Sequence, residues 1–259
     1  MSSLDGYNES KLSAKAKKRR RRRRRHPFLR LLILAVIIVA AVFVLKSELF
    51  SISKIEIEGN KFFTLSQIQE MAGVETGSNI FFDLRTNTAR KNLLADPYIK
   101  RATVSRVLPT TVKISIEERV EFAAIQSVDG KYILIDEEGM VLRVSDTDPR
   151  LSVLEGIELV SAEVGSPLEV KQNYLLNGAL ELLKMTEEKD LFFKRIFFSS
   201  AVVRAYVYDE YYCEGTPENI MENLGPLKEL IAQHYQENIN KGIIKIGTGG
   251  YLSFNPKID

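Results

Sequence analysis

The sequence predicts an α+β protein with a single N-terminal transmembrane helix followed by two folded parts. Three observations predict this class. One continuous apolar run lies near the N-terminus, residues 50–119 interleave strand-like alternation with two helical segments, and residues 120–259 are dominated by short segments that end in hairpin turns. The second part also contains helical periodicity, which predicts a mixed, mainly antiparallel β domain with two packed helices.

The membrane helix is predicted over residues 28–45, which read FLRLLILAVIIVAAVFVL and are interrupted only by Arg30. At about 1.5 Å per residue this helix would be about 27 Å long, close to the roughly 30 Å hydrocarbon core of a bilayer. A soluble helix would keep a polar face, and this one has none after Arg30. Because no small-x-small cleavage site follows the run, we expect an uncleaved signal anchor rather than a signal peptide.

The charges around this helix predict its orientation. Residues 1–27 form a polar tail without periodicity, expected to be disordered, and residues 19–25 are seven consecutive arginines. The first 30 residues hold 12 Lys or Arg and two acidic residues, so the positive-inside rule places the N-terminus in the cytoplasm. The remaining chain has 24 basic and 32 acidic residues, a net charge of −8. An arginine run can also bind nucleic acid, but beside a membrane helix it more simply fixes topology and contacts anionic lipid.

The first exported part is predicted to have the order β-α-α-β-β. The predicted elements are a strand over 51–58, a helix opened by a capping box of Thr64 and Gln67, a helix capped by Asp83, and strands over 99–108 and 111–117. Together these elements predict a small three-stranded sheet that is covered on one side by two helices.

The second exported part is predicted to begin with a meander. Hairpin turns are expected at Asp129-Gly130 and Glu138-Gly139, followed later by a helix over 172–188 and a strand over 202–208. Thr216 and Pro217 open another helical segment, whose apolar stripe stays in phase across Gly225-Pro226. This phase predicts one bent helix rather than two. The chain closes with a hairpin of 243–246 and 251–254, whose outer edge is expected to be free.

Candidate catalytic groups are few, since the chain has one cysteine and two histidines. His26 and His234 would lie on opposite sides of the membrane, so they cannot share a site. Cys213 and His234 are the remaining nucleophile–base pair of that kind, and no third orienting group accompanies them. The sequence lacks the clustered Cys and His spacing of a zinc site.

Three acidic or glycine-rich stretches also have a simpler structural interpretation. Residues 136–138 are acidic but lie at a predicted bend, and Asp146 with Asp148 lacks the other ligands of a calcium loop. The glycine-rich stretch 247–250 lies between two strands, whereas a phosphate-binding loop precedes a helix. We therefore predict no catalytic residue, no cofactor and no metal, and expect exposed strand edges to bind partners.

Four stretches carry a family resemblance. They read ISKIEIEGNKFFTLSQI, GSNIFFDL, LADPYIKRATVSRVLPTTVKISIEER and LIDEEGMVL. With the short basic tail and single membrane helix, they resemble the FtsQ/DivIB family of bacterial cell-division proteins. The resemblance covers most of residues 28–144 and is weaker beyond them. It implies a polypeptide-transport-associated (POTRA) domain over 50–119 and a β domain over 120–259.

The resemblance also implies a function. Members of this family are non-enzymatic scaffolds of the division machinery, located in the cell membrane and enriched at the septum. They join FtsL-like and FtsB/DivIC-like single-pass proteins, which in turn regulate the septal peptidoglycan synthase, and nucleic acid is not a partner. The main contact in the family is a strand added at the end of the β domain, and the POTRA face is a second candidate contact. The implied contact residues here are Tyr251, Leu252, Ser253 and Phe254, with Ile244 and Ile246 as support.

The chain departs from the family in one place, because it has Ile244, Lys245 and Ile246 where members often have Ile-Asp-Leu. Two other classes stay open at this stage. One is a membrane-anchored POTRA-type export or assembly factor, which would need a long run of barrel strands. The other is an anchored cell-wall enzyme, for which the sequence offers no site.

Overall fold

The computed structural model describes residues 27–199 and 201–257. Residues 1–26 of the predicted basic tail, with its arginine run and His26, lie outside the described residues. Helix α1 spans Pro27–Leu45, and the window Phe28–Leu45 is long and apolar enough to cross a membrane, with none of it buried in protein. A short 3₁₀ helix, Glu48–Phe50, follows it.

The next elements confirm the predicted β-α-α-β-β order. They are β1 (Lys54–Glu58), α2 (Leu65–Ala72), α3 (Thr86–Leu93), β2 (Ile99–Val107) and β3 (Thr111–Glu118). The three strands form one sheet in the order β1-β3-β2, so β3, the last of these three along the chain, lies in the middle of the sheet.

One of the two helix caps predicted in this part of the chain is confirmed. The Thr64 N–H donates to Gln67 Oε1 at 2.9 Å, and the Gln67 N–H donates to Thr64 Oγ1 at 3.3 Å, which is the reciprocal pattern of a capping box. The prediction that Asp83 caps α3 is wrong. The helix begins three residues further along, at Thr86, so Asp83 does not cap it. The Asp83 carboxylate instead accepts the Asn79 N–H at 2.7 Å.

The second part is built on a nine-stranded mixed sheet. Its strands are β4 (Ala123–Gln126), β5 (Tyr132–Ile135), β6 (Val141–Ser145), β7 (Ser152–Glu155), β10 (Arg195–Phe198), β11 (Val203–Tyr208), β12 (Tyr211–Gly215), β13 (Gly242–Ile246) and β14 (Leu252–Pro256). They lie in the order β14-β13-β12-β11-β10-β7-β4-β5-β6. Three neighbouring pairs, β4–β7, β7–β10 and β12–β13, are parallel, and the other five are antiparallel. A separate small sheet pairs β8 (Leu159–Ser161) with β9 (Glu169–Val170).

The helices of this part are α4 (Asn173–Glu188), α5 (Pro217–Glu222) and α6 (Leu224–Gln236). Their apolar residues join alternate strand residues in one core, which contains Leu182, Phe193, Ile196, Tyr211 and Leu227. The predicted single bent helix is wrong, since α5 and α6 are separate helices on either side of Asn223.

The break between α5 and α6 has a local cause. Asn223 has non-helical φ −111° and ψ 17°, and its side-chain amide donates to the Asn219 carbonyl at 2.7 Å, which satisfies the end of α5. Pro226 lies in the first turn of α6, where a missing N–H costs no helical hydrogen bond. The helix therefore ends before the Gly-Pro pair rather than at it. The predicted cap at Thr216 is confirmed by its hydrogen bond with the Asn219 N–H.

The described chain divides into two compact units. The first unit contains the described residues up to Glu56, with 73–89 and 104–114, and the second unit contains 57–72, 90–103 and the described residues from Ser115 onward. The predicted division into a first domain over 50–119 and a second over 120–259 remains a prediction.

Candidate functional site

The candidate site is the C-terminal hairpin of β13 and β14. β14 pairs antiparallel with β13 and is the outermost strand on its side of the nine-stranded sheet. Within residues 27–199 and 201–257, no further strand pairs with its outer side. An edge of this kind presents unpaired backbone N–H and C=O groups.

Two hydrogen bonds identify which backbone groups face that edge. The Gly242 N–H donates to the Glu210 carbonyl, toward β12, whereas the Gly247 N–H donates to the Tyr251 carbonyl, toward β14, both at 2.9 Å. Backbone groups alternate in direction along a strand, so Ser253 and Asn255 direct theirs at β13. Leu252 and Phe254 therefore direct their N–H and C=O groups outward, and Pro256 offers only a carbonyl there.

The side chains of β14 alternate between the two faces of the sheet. Leu252 lies opposite Ile246 and Phe254 lies opposite Ile244, and both pack against the main core from partly buried positions. Ile244 and Ile246 are themselves buried, with exposed fractions of 0% and 5%. Ile244 and Ile246 thus support the edge strand from beneath. Ser253 lies on the opposite face and is half-buried.

An aromatic cluster fixes the middle of β14. The Phe254 ring centroid lies 4.3 Å from that of His234 and 6.1 Å from that of Tyr211. The Tyr211 hydroxyl and His234 Nδ1 are hydrogen-bonded at 2.7 Å in the interior. Gly242 makes room for this packing, because a Cβ there would lie 2.5 Å from the Phe254 ring, and its φ of +139° also favours glycine.

The end of β14 is held by an exposed ion cluster. Glu210 pairs with Lys257 at 2.8 Å and with Lys241 at 3.4 Å. Hydrogen bonds from Lys257 and Lys241, with the charges of both, lower the pKa of Glu210. The carboxylate thus links the residue after β14 to the residue before β13.

The turn before β14 presents the most exposed of the predicted contact residues. Tyr251 is 69% exposed and lies just outside the bounds of β14. Gly249 and Gly250 adopt left-handed φ values of 73° and 81°, which permit the tight reversal. Tyr251 therefore lies at the tip of the hairpin, next to the outward-facing groups of Leu252.

The open face of the sheet carries a row of side chains that the sequence analysis missed. Strand register places Arg195, Tyr206, Tyr212, Ile243 and Asn255 side by side. The Arg195 guanidinium lies 4.4 Å from the Tyr206 ring centroid, and the Tyr206 and Tyr212 rings are 4.8 Å apart. The alternation of side chains within 203–208 indicates which residues of that one strand face outward. Only the pairing register between strands shows that the outward residues of neighbouring strands lie side by side.

Cys213 and His234, the one nucleophile–base pair that the sequence offered, do not have the chemistry of a thiolate and its base. Cys213 is fully buried, and burial raises the pKa of its thiol strongly. His234 uses Nδ1 in its hydrogen bond with Tyr211. In the part of the chain that the structure describes, no group of three His, Cys, Asp or Glu side chains could hold a metal ion.

The acidic run at 136–138 forms the turn between β5 and β6. Asp136 is 2% exposed, and its Oδ1 accepts the N–H groups of Glu138 and Met140 at 2.9 and 2.8 Å. The Arg119 guanidinium binds the other oxygen of Asp136 and also Glu138, the latter at 3.0 Å. Lys100 pairs with Glu138 at 2.8 Å. These carboxylates are therefore structural.

Comparison with known proteins agrees with this architecture. A family model described as the POTRA domain, FtsQ-type, matches residues 50–119. The chain is 29% identical to cell division protein DivIB of Clostridium acetobutylicum over 199 residues, which cover 72% of this chain and 76% of that protein. It is 26% identical to DivIB of Clostridium botulinum strain Hall over 212 residues, which cover 80% of this chain and 82% of that protein. It is 19% identical to DivIB of Bacillus subtilis over 214 residues, which cover 83% of this chain and 78% of that protein.

The membrane-spanning helix, the FtsQ-type POTRA match and the large mixed sheet define a membrane-anchored POTRA protein of the bacterial division apparatus. The chain is similar over most of its length to cell-division proteins of the FtsQ/DivIB family.

Proposed function

We propose that this protein is a non-enzymatic scaffold that binds FtsL-like and FtsB/DivIC-like single-pass proteins at the septum by accepting a strand along β14. In this proposal residues 1–27 are cytoplasmic, and a POTRA domain over 50–119 and a β domain over 120–259 are outside the cytoplasmic membrane. The bound partners would in turn support regulation of septal peptidoglycan synthesis. The outward backbone groups of Leu252 and Phe254, on an edge with no paired strand among the described residues, carry the proposal.

Strand addition at this edge would combine two kinds of recognition. Main-chain hydrogen bonds to Leu252 and Phe254 would supply affinity, while alternate side chains of the partner would supply selectivity. On the helix-covered face the partner would continue the apolar surface of Leu252 and Phe254. Pro256 lacks an N–H, so it limits how far the added strand can extend.

The open face favours an acidic partner residue. Ser253 lies opposite Lys245, whose side chain is exposed, and the next position across the sheet is Glu214. Glu214 is already paired with Arg204 at 2.8 Å. A partner carboxylate beside Ser253 would therefore gain attraction from Lys245, worth up to about 1 kcal/mol at an exposed cross-strand site.

In-cell photocrosslinking tests the assignment. A photoreactive residue at Tyr251 is expected to capture a small single-pass division protein, because Tyr251 is exposed beside the edge. The matched control is Val128, a fully exposed residue at the tip of the β4–β5 hairpin, where we expect no such capture. If Tyr251 captures no division protein while a probe at the exposed Leu65 of the POTRA region does, the site is wrong. Normal septation after depletion of the protein would overturn the function itself.

A further inference from the structure

The GSNIFFDL stretch, residues 77–84, is not needed for strand addition, yet it contacts the end of the membrane helix. The Asn79 side-chain amide donates to the Leu45 carbonyl at 2.7 Å. The last carbonyls of a helix have no partner within the helix, so this bond caps α1. Asn79 also forms an isolated β-bridge with Ser51, and the Ile80 N–H donates to the Phe50 carbonyl at 2.9 Å.

The same asparagine shapes the loop that follows it. Its Oδ1 accepts the N–H groups of Phe81 at 2.9 Å and Phe82 at 3.1 Å. Its backbone N–H donates to Asp83 Oδ2 at 2.7 Å. One side chain thus joins the end of the membrane helix to a loop that presents two adjacent phenylalanines.

Large exposed apolar side chains gather at this end of the first unit. Outside the membrane helix, those of the described first unit are Leu49, Phe82, Val107 and Leu108. The turn that carries Val107 and Leu108 is bound to the same region, since the Ser53 N–H donates to the Thr110 carbonyl at 2.9 Å and Arg106 donates to the Ile80 carbonyl at 2.6 Å. All four residues are therefore close in the fold or in sequence to the residues that leave the membrane helix.

A cation lies beside this surface, at the end of the membrane helix. Lys46 is the first residue after α1, and its ammonium group lies 5.6 Å from the Phe82 ring centroid. A lysine at this position extends to the headgroup region. With α1 across a bilayer, Phe82 would lie beside this lysine at the membrane–water interface, where amphipathic and aromatic side chains anchor proteins.

We propose that Leu49, Phe82, Val107 and Leu108 form a lipid-contacting surface, which rests among the headgroups of the leaflet where α1 ends. A lipid surface is the occupant that fits, because the patch is continuous with the membrane helix and Lys46 attracts anionic headgroups. Through its hydrogen bond to Leu45, Asn79 fixes the position of this surface relative to the end of α1. The proposal does not depend on strand addition at β14.

The absence of tryptophan from the sequence gives a direct test. Full-length Phe82→Trp protein would be reconstituted into vesicles of phosphatidylcholine and phosphatidylglycerol, with and without lipid brominated near the headgroup end of its acyl chain. We expect emission at shorter wavelength than in water and quenching by the brominated lipid. Val128→Trp provides the reference for an indole in water, and Val36→Trp provides the reference for one inside the bilayer.

If Phe82→Trp emits and is quenched like Val128→Trp in correctly folded protein, the proposal is overturned. Leu49→Trp, at a 68% exposed position, provides the same readout if the Phe82 variant fails to fold. The Asn79→Asp change in the Phe82→Trp background keeps the acceptor for the loop N–H groups but removes the donor to Leu45. We expect weaker quenching in this double variant, and unchanged quenching would contradict the role of Asn79.

Discussion

At the scale of single residues, Asp136 shows how the acidic run stabilises a turn. Its buried carboxylate accepts two backbone N–H groups and faces Arg119, whose side chain is 12% exposed. Burying two charges is costly, and their mutual attraction only offsets that cost. Removing one partner, however, leaves the other charge buried and uncompensated.

We therefore expect Arg119→Met to lower the free energy of unfolding by about 3 kcal/mol. The matched control is Lys171→Met, which removes an exposed pair with Glu158 and should cost less than about 1 kcal/mol. Denaturant unfolding of the detergent-solubilised protein measures both changes. Equal effects of the two variants would show that Asp136 does not need Arg119.

At the scale of elements, β14 is the strand whose two backbone edges have different roles. The N–H groups of Ser253 and Asn255 are directed at β13, whereas that of Leu252 is directed outward. A proline at Leu252 would consequently remove a donor that the hairpin itself does not use.

This asymmetry makes Leu252→Pro a selective test of strand addition. Compared with Leu252→Ala, which keeps the N–H, we expect about tenfold weaker partner binding, near 1.4 kcal/mol, from one lost hydrogen bond and the obstructing ring. Stability of the two variants should differ by less than about 1 kcal/mol. Binding of a purified FtsL-like and FtsB-like complex measures the effect. Equal affinity of the two variants would argue against pairing along this edge.

The elements that the sequence analysis predicted best are those with local signals. The Thr64 and Gln67 capping box, the hairpin turns with glycine and the 3.6-residue period of α4 were all confirmed. Strands β7, β10 and β12 were not assigned, since each is short and all three pair in parallel with partners distant in sequence. A short buried run has no alternation that would distinguish it from other apolar segments.

At the scale of the whole molecule, the membrane helix decides which compartment each part occupies. The predicted orientation rests on the excess of basic residues before α1 over the two, Lys46 and Lys54, that lie just after it. The lone cysteine offers a way to test it, because Cys213 is buried and its thiol pKa is raised by that burial.

We expect Val128→Cys to react with a membrane-impermeant maleimide in intact protoplasts, while the unaltered protein stays unlabelled. Val128 is fully exposed at a hairpin tip, whereas Cys213 is shielded by the core. Labelling only after the membrane is permeabilised would place the second unit in the cytoplasm. Labelling of the unaltered protein would show that Cys213 becomes accessible.

For the candidate site, the sequence placed a strand near 251–254 but did not reveal which groups it exposes. The burial of Ile244 and Ile246 and the outward direction of Leu252 and Phe254 follow from pairing with β13, which in turn pairs with β12. The row from Arg195 to Asn255 depends in the same way on four strand registers.

The sequence by itself determined the membrane helix, the β-α-α-β-β order and the family resemblance, because an 18-residue apolar run, a capping box and turn glycines act over a few residues. Only the tertiary structure decided that β14 is the outermost strand, that Asp83 binds Asn79 instead of capping α3, and that Asn79 caps the membrane helix. These contacts join residues brought together by strand order and loop packing, and local sequence patterns carry little information about such distant partners.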